Sequence, residues 1–232
     1  MIRSYMKAVR REWPVTYGLE RMAFKRFVLA LVAAVVAHIG VAAAEPYKIV
    51  GFGDSLMAGY GLGPGEAFPE KLEAALRAKG HDVVISNAGV SGDTSSGGVS
   101  RLDWSVPDDT HLVILELGAN DMLRAIDPAL TEKNLDVMIG RLKARGIDVL
   151  LAGMLAAPNL GPDYAEKFNA IYPALARKHG VELYAFFMDG VAADAALLLP
   201  DGMHPNAAGV DRMVGGMLPM VERFITAKLQ ES

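Results

Sequence analysis

The chain has 232 residues, 52% hydrophobic and 22% charged, a globular composition that supplies one sizeable core and excludes a disordered chain. It has no cysteine, which excludes a disulfide scaffold, thiolate metal sites and a cysteine nucleophile. Residues 1–44 hold seven Lys/Arg and two Asp/Glu of the chain's 23 and 27, so residues 45–232 keep 16 basic and 25 acidic residues, a net charge of −9. That balance repels phosphate backbones, arguing against a nucleic-acid partner and against docking on an anionic membrane.

The first element is a leader. Lys25 and Arg26 precede an apolar run over 27–44, interrupted by His38 and ending Ala42-Ala43-Ala44. A basic stretch, an apolar stretch and a small-residue site describe a secretory signal peptide cleaved before Glu45. An uncleaved anchor is the alternative, since the run is about long enough to span a bilayer, but its alanine content favours cleavage. Met22 suits the start of such a signal, and residues 1–21 carry no structural reading. The expected organisation is a leader over 1–44 and one domain over 45–232. The mature product is expected to be exported to the periplasm, monomeric and without stable membrane insertion.

The domain begins with the strand formers Lys48-Ile49-Val50, which run into Gly51-Phe52-Gly53-Asp54-Ser55-Leu56. Strand, tight turn and serine place the Ser55 hydroxyl at the carboxyl end of a strand, where open α/β sheets bind ligands and where a serine nucleophile is held exposed. A glycine-dense loop over 57–65 follows. The spacing of Leu72, Ala75, Leu76 and Lys79 predicts a helix over 68–79, with proline tolerated in its first turn. Residues 83–85 form a second strand ending in Ser86-Asn87, and 88–98 read as a polar loop. Residues 111–117 are an apolar strand broken only by Glu116, as for a strand covered on both faces.

Gly118-Ala119-Asn120-Asp121 leaves that strand. A helix is predicted over 131–145, a fourth strand over 149–152, and a loop over 154–162. The helix over 163–179 contains Pro173, which costs about 3 kcal/mol in a regular helix, so a kink or break is expected there. A fifth strand over 181–187 and a last helix over 206–228 complete the chain. Strands alternating with helices at βαβ spacing predict a parallel sheet with helices on both faces.

Polar residues gather where strands end: Asp54-Ser55, then Asn87 with Gly92-Asp93-Thr94, then Asn120-Asp121, and late in the chain Asp201 and His204. A parallel sheet brings these loops to one edge. Ser55 needs a base, because a serine hydroxyl alone is a poor nucleophile. His38 lies in the leader, His81 and His179 read as solvated helix-end residues, and His111 opens a buried strand with no acid placed to orient it. Asp201 stands three residues before His204, close enough to hold one imidazole nitrogen and leave the other for the serine proton. On local sequence alone, a loop histidine beside a capping aspartate is the simpler reading. Gly92, Asn120 and the Ser55 N–H are candidate oxyanion donors, although singly Gly92 reads as a turn glycine and Asn120 as a helix cap. Asp54 and Asn87 suit structural roles, bonding loop amides.

Three other readings have weaker support. Gly51-x-Gly53 begins a dinucleotide fingerprint, but Leu56 occupies the third glycine position. A metal hydrolase built on Asp54, Asp201 and His204 lacks a second histidine at ligand spacing. A non-catalytic binding protein is the non-enzyme alternative.

Taken together, Gly53-Asp54-Ser55-Leu56, Asn87 to Thr94, Gly118 to Asp121 and Asp201-Gly202-Met203-His204-Pro205 resemble, in order, the four blocks of the SGNH (GDSL) hydrolases. The likeness spans about residues 47–225. The stretch from Glu116 to Asp121 and the run from Phe168 to Pro173 look closest to the exported acyl-CoA thioesterase I, lysophospholipase and arylesterase group, with Ala119 standing where glycine is expected.

The resemblance implies a flavodoxin-like three-layer α/β/α fold with a five-stranded parallel sheet and no metal or cofactor. It implies Ser55 as nucleophile, His204 as base, Asp201 as its orienting acid, and Ser55, Gly92 and Asn120 as the oxyanion hole. The substrate it implies is a small-molecule acyl ester or thioester, with Met154, Leu155 and Pro158 on the loop that contacts the acyl chain; ordinary packing is an equal reading of that loop. A periplasmic deacetylase of glycan O-acetyl groups is the competing enzyme. It would need sugar-stacking aromatics, and Tyr60 is the one aromatic placed for that.

Overall fold

The computed structural model describes residues 45–231, with the side chains of 229–231 left aside, and Lys25. The leader reading therefore lies outside the described residues. The chain divides into units 1–45 and 46–232, and the second unit holds the sheet, its helices and the candidate site.

Five parallel strands form one sheet: β1 (Tyr47–Gly53), β2 (Val83–Gly89), β3 (Leu112–Glu116), β4 (Asp148–Ala152) and β5 (Glu182–Tyr184), in the order β2-β1-β3-β4-β5. The α-helices are α1 (Ser55–Ala58), α2 (Phe68–Ala78), α3 (Ser95–Ser105), α4 (Ala119–Leu123), α5 (Pro128–Ala144), α6 (Pro162–His179) and α7 (Ala207–Glu231). Helices α2 and α7 pack together in one layer, while α5 packs against both α3 and α6 in the other. The fold is the expected three-layer α/β/α sandwich. Its central strand β3 is buried at every position, Glu116 included, as a strand covered on both faces must be.

The chain runs from β1 outward to β2 and then returns past β1 to β3. The strand order therefore reverses at β1/β3, and a crevice opens between the loops leaving those two strands. Ser55 follows one of them and Asn120 the other.

Several elements differ from their sequence reading. The polar loop over 88–98 closes early, because Ser95–Ser105 is helical. Two glycines and four serines hid it. It forms because the Thr94 hydroxyl caps the Gly97 N–H at 3.3 Å and because Arg101 and Leu102 are buried. Helix α5 starts three residues earlier than its apolar period suggests, since Asp127 caps Ala129 N–H and Pro128 suits the first turn. Strand β5 is shorter than expected: its ladder ends with β4, at Ala152↔Tyr184. Helix α6 continues through Pro173 without a break; Phe168, Ile171, Tyr172 and Leu175 fasten it to the core on both sides of the proline.

Candidate active site

The site begins at the end of β1. Gly53 is required there because a Cβ would collide with both the carboxylate and the carbonyl of Glu116. Asp54 then caps α1: its Oδ1 accepts from Leu56 N–H at 3.0 Å, and its own N–H donates to Glu116 Oε2 at 3.1 Å. Ser55 is consequently the first residue of a helix, where backbone N–H groups have no intrahelical acceptor.

A second segment brings the histidine. In the loop before α7, Asp201 Oδ1 accepts the N–H groups of Met203 and His204 at 2.9 and 3.0 Å. Its Oδ2 lies 2.7 Å from His204 Nδ1, and His204 Nε2 lies 2.8 Å from Ser55 Oγ. These three donors hold the Asp201 carboxyl down at about 2, the two backbone N–H groups first. An ionised carboxylate can only accept, so Nδ1 carries the imidazole proton and Nε2 presents a lone pair to the Ser55 hydroxyl. The arrangement joins a carboxylate, an imidazole and a hydroxyl in one hydrogen-bonded chain.

The third segment comes from β3. Asn120 is in the first turn of α4 and donates Nδ2–H to Asp54 Oδ2 at 3.0 Å, so it is not the cap of that helix. An amide nitrogen has two hydrogens, only one of which this bond uses, and Asn120 lines the crevice. Asp121 behind it is buried and ties three elements: it accepts from Ser95 N–H at 2.8 Å, Ser95 Oγ at 2.5 Å and Thr131 Oγ1 at 3.1 Å.

Gly92 is placed differently. It is exposed, with φ +82°, and is not among the residues lining the crevice; its carbonyl accepts from Arg124 Nη2 at 2.8 Å. Its loop is nonetheless pinned to the turn before Ser55, with Val90 N–H donating to Gly53 carbonyl at 3.0 Å.

The crevice is a cleft of about 430 Å³ whose walls include Ser55, Asn120 and His204 at one side and Met122, Leu123, Met154, Leu155, Ala156, Pro158, Phe186, Met188 and Met203 elsewhere. Met154, Leu155 and Pro158 thus all reach it from one loop. Asn169 of α6 fixes that loop by accepting Ala156 N–H at 2.8 Å.

Two buried groups were given no role in the sequence reading. Arg101 donates to Gly53 carbonyl at 2.8 Å, to Ala88 carbonyl at 2.7 Å and to Asp93 Oδ2 at 2.7 Å, and lies 3.9 Å over the Phe52 ring. It cross-links the ends of β1 and β2 beneath the serine turn. Glu116 is fully buried, and its Oε1 has no hydrogen-bond partner. Burial and the neighbouring Asp54 push its carboxyl well above the usual range. Asp54 itself is pushed up to about 6 by burial, against the pull of its bonds from Leu56 and Asn120. Asp54 has two donors for its charge and Glu116 has one, so Glu116 is the partner that keeps a proton. The single glutamate in an apolar strand was the one available signal.

The remaining described histidines are outside the cleft. His111 Nδ1 accepts the Lys48 N–H at 2.9 Å. His81 and His179 are not solvated helix ends: half-buried, they face Glu222 at 3.5 Å and Asp136 at 2.6 Å. Asn87 holds its turn as expected, accepting Gly89 N–H at 3.0 Å.

Comparison with known proteins agrees with this geometry. Residues 52–212 match the GDSL-like lipase/acylhydrolase family. The chain is 36% identical over 185 residues to the esterase TesA of Pseudomonas aeruginosa, covering 79% of this chain and 91% of that one. It is 38% identical over 166 residues to thioesterase 1/protease 1/lysophospholipase L1 of Escherichia coli, covering 71% and 77%. The crystal structure of AlinE4, an SGNH-hydrolase family esterase, is similar with a TM-score of 0.66 and 45% identity, over 78% of this chain and 97% of that one.

Proposed function

The chain belongs to the GDSL-like lipase/acylhydrolase family and is a hydrolase of ester bonds; from that premise we propose that it cleaves acyl and aryl esters, lysophospholipid-like esters and thioesters through an acyl-enzyme on Ser55. His204 is the base, Asp201 orients it, and the Ser55 N–H and Asn120 amide form the oxyanion hole with the Gly92 N–H, whose residue stands outside the cleft walls on a loop pinned to the Ser55 turn. The observation that carries this reading is the continuous relay Asp201–His204–Ser55, at 2.7 and 2.8 Å, opening on an apolar cleft.

The mechanism follows from those atoms. His204 Nε2 takes the Ser55 proton while Oγ attacks the carbonyl carbon, and the imidazolium is stabilised by Asp201. The developing oxyanion meets donors already oriented at the start of α1 and at Asn120, each worth about 3 kcal/mol of barrier. His204 then returns the proton to the departing alcohol or thiol, and a water repeats the cycle on the acyl-enzyme. Met154, Leu155 and Pro158 hold the acyl chain.

Residues 1–44 are proposed as the leader, with residues 45–232 exported to the periplasm as a monomer. Among the described residues no helix is long and apolar enough to cross a membrane.

The test is hydrolysis of p-nitrophenyl esters from acetate to palmitate by the purified protein beside Ser55→Ala. Activity that disappears in the variant is expected, with an optimum beyond acetate. A sharp optimum at acetate would favour the glycan deacetylase, and an inactive, folded wild type would favour a binding protein.

A further inference from the structure

Tyr60 follows α1 in the glycine-dense loop, and its N–H donates to the Ser55 carbonyl at 3.1 Å. Its ring lies against the imidazole of His204, with centroids 4.4 Å apart and planes tilted by 36°. The side chain is half in water, at 52% exposure, so the core does not account for where it stands. The edge of the imidazole is occupied by Asp201 at Nδ1 and Ser55 at Nε2. The buried Asp54 acts on it through space. Tyr60 does not line the cleft that contains the apolar walls.

We propose that Tyr60 is a positioning residue for the reaction, holding the His204 ring in line between Asp201 and Ser55 and favouring the imidazolium through its π face. The inference rests on His204 being the base. As the Ser55 Oγ bonds to the carbonyl carbon, its proton passes to Nε2 and the imidazole becomes a cation; the same proton later leaves with the alcohol or thiol. An aromatic face attracts a cation far more than a neutral ring. The contact is thus stronger in the transition state than in the ground state, and its loss falls on kcat rather than on KM. A tyrosine serving only as a wall for the leaving group would show the opposite split.

The experiment compares kcat and KM on one p-nitrophenyl ester for wild type, Tyr60→Leu, Tyr60→Phe and His204→Ala, with Tm for each. Tyr60→Leu is expected to lose about three- to tenfold in kcat, with KM changed by less than about twofold. Tyr60→Phe, which keeps the ring, is expected to recover most of that loss. If Tyr60→Leu fails to fold, Tyr60→Met is judged by the same criterion. An undiminished kcat, an effect on KM alone, or a Phe variant as impaired as Leu overturns the role of Tyr60. An active His204→Ala overturns the reading of His204 itself, whereas an inactive one beside an unimpaired Tyr60→Leu overturns only this inference.

Discussion

Asp201, behind His204, lies at the surface, and Asp54, beside Ser55 in the chain, lies in the core. Asp201 is exposed and accepts from two backbone N–H groups and an imidazole, which keep it ionised down to about pH 2. Asp54 is buried, sits against the equally buried Glu116, and is pushed up to about 6, while burial and Asp54 push Glu116 well above the usual carboxylate range. Donors set the charge at the surface, and desolvation sets it in the interior. The catalytic consequence differs accordingly. The base proposed at His204 needs a permanent anion behind it, and Asp201 is placed to supply one. An oxyanion forming at the start of α1 is opposed by any nearby negative charge, and a protonated Glu116 keeps the buried pair to a single charge.

The sharpest way to break the comparison is at its surface arm. His204→Ala leaves Ser55 without a base and should lower kcat by about 10⁴-fold or more, with Tm little changed. Asp201→Asn, measured on the same p-nitrophenyl ester, should lose about 10³–10⁴-fold, because a neutral amide no longer fixes the proton on Nδ1. A variant at either position that retains a tenth of wild-type kcat would remove it from the relay.

Asn120→Ala tests the link between the two arms, since the same amide serves the cleft and Asp54. It should cost about 10²–10³-fold in kcat with little change in KM, because the oxyanion exists only in the transition state. A pure KM effect would make Asn120 a substrate-binding residue.

Much of this was legible in the sequence, for a physical reason. Gly53-Asp54-Ser55, Asn120 and Asp201 to His204 each sit at a strand end or in a tight turn, where residue type is dictated by local geometry. The parallel sheet then brings those ends together without further information. Arg101 and Glu116 were not legible because their roles are made only by packing. Arg101 sits in the helix that glycine and serine disguised, and reaches carbonyls of two strands distant in sequence. The break that Pro173 allowed does not occur because propensity is local, whereas Phe168, Tyr172 and Leu175 are held by the core.

The smallest expected effect sharpens the interior arm. A carboxyl raised by folding contributes stability at low pH that is lost as pH rises through its folded value; one lowered by folding contributes stability at neutral pH that is lost as pH falls through its own. Asp201 therefore withdraws stability as pH falls from about 4 toward about 2, whereas Asp54 withdraws it as pH rises from about 4 toward about 6, and Glu116 withdraws more as pH climbs above the ordinary carboxylate range. Glu116→Gln keeps the shape and the acceptor for Asp54 N–H but has no proton to lose. It should leave kcat at pH 7 within about threefold and flatten the fall in Tm as pH rises from about 5 to about 9. Each kcal/mol recovered at pH 9 appears as about 2–4 °C. Thermal melts across that range decide the matter. If Glu116→Gln and wild type lose Tm in parallel, Glu116 does not hold the proton, and the interior pair must be relieved of its second charge by another group.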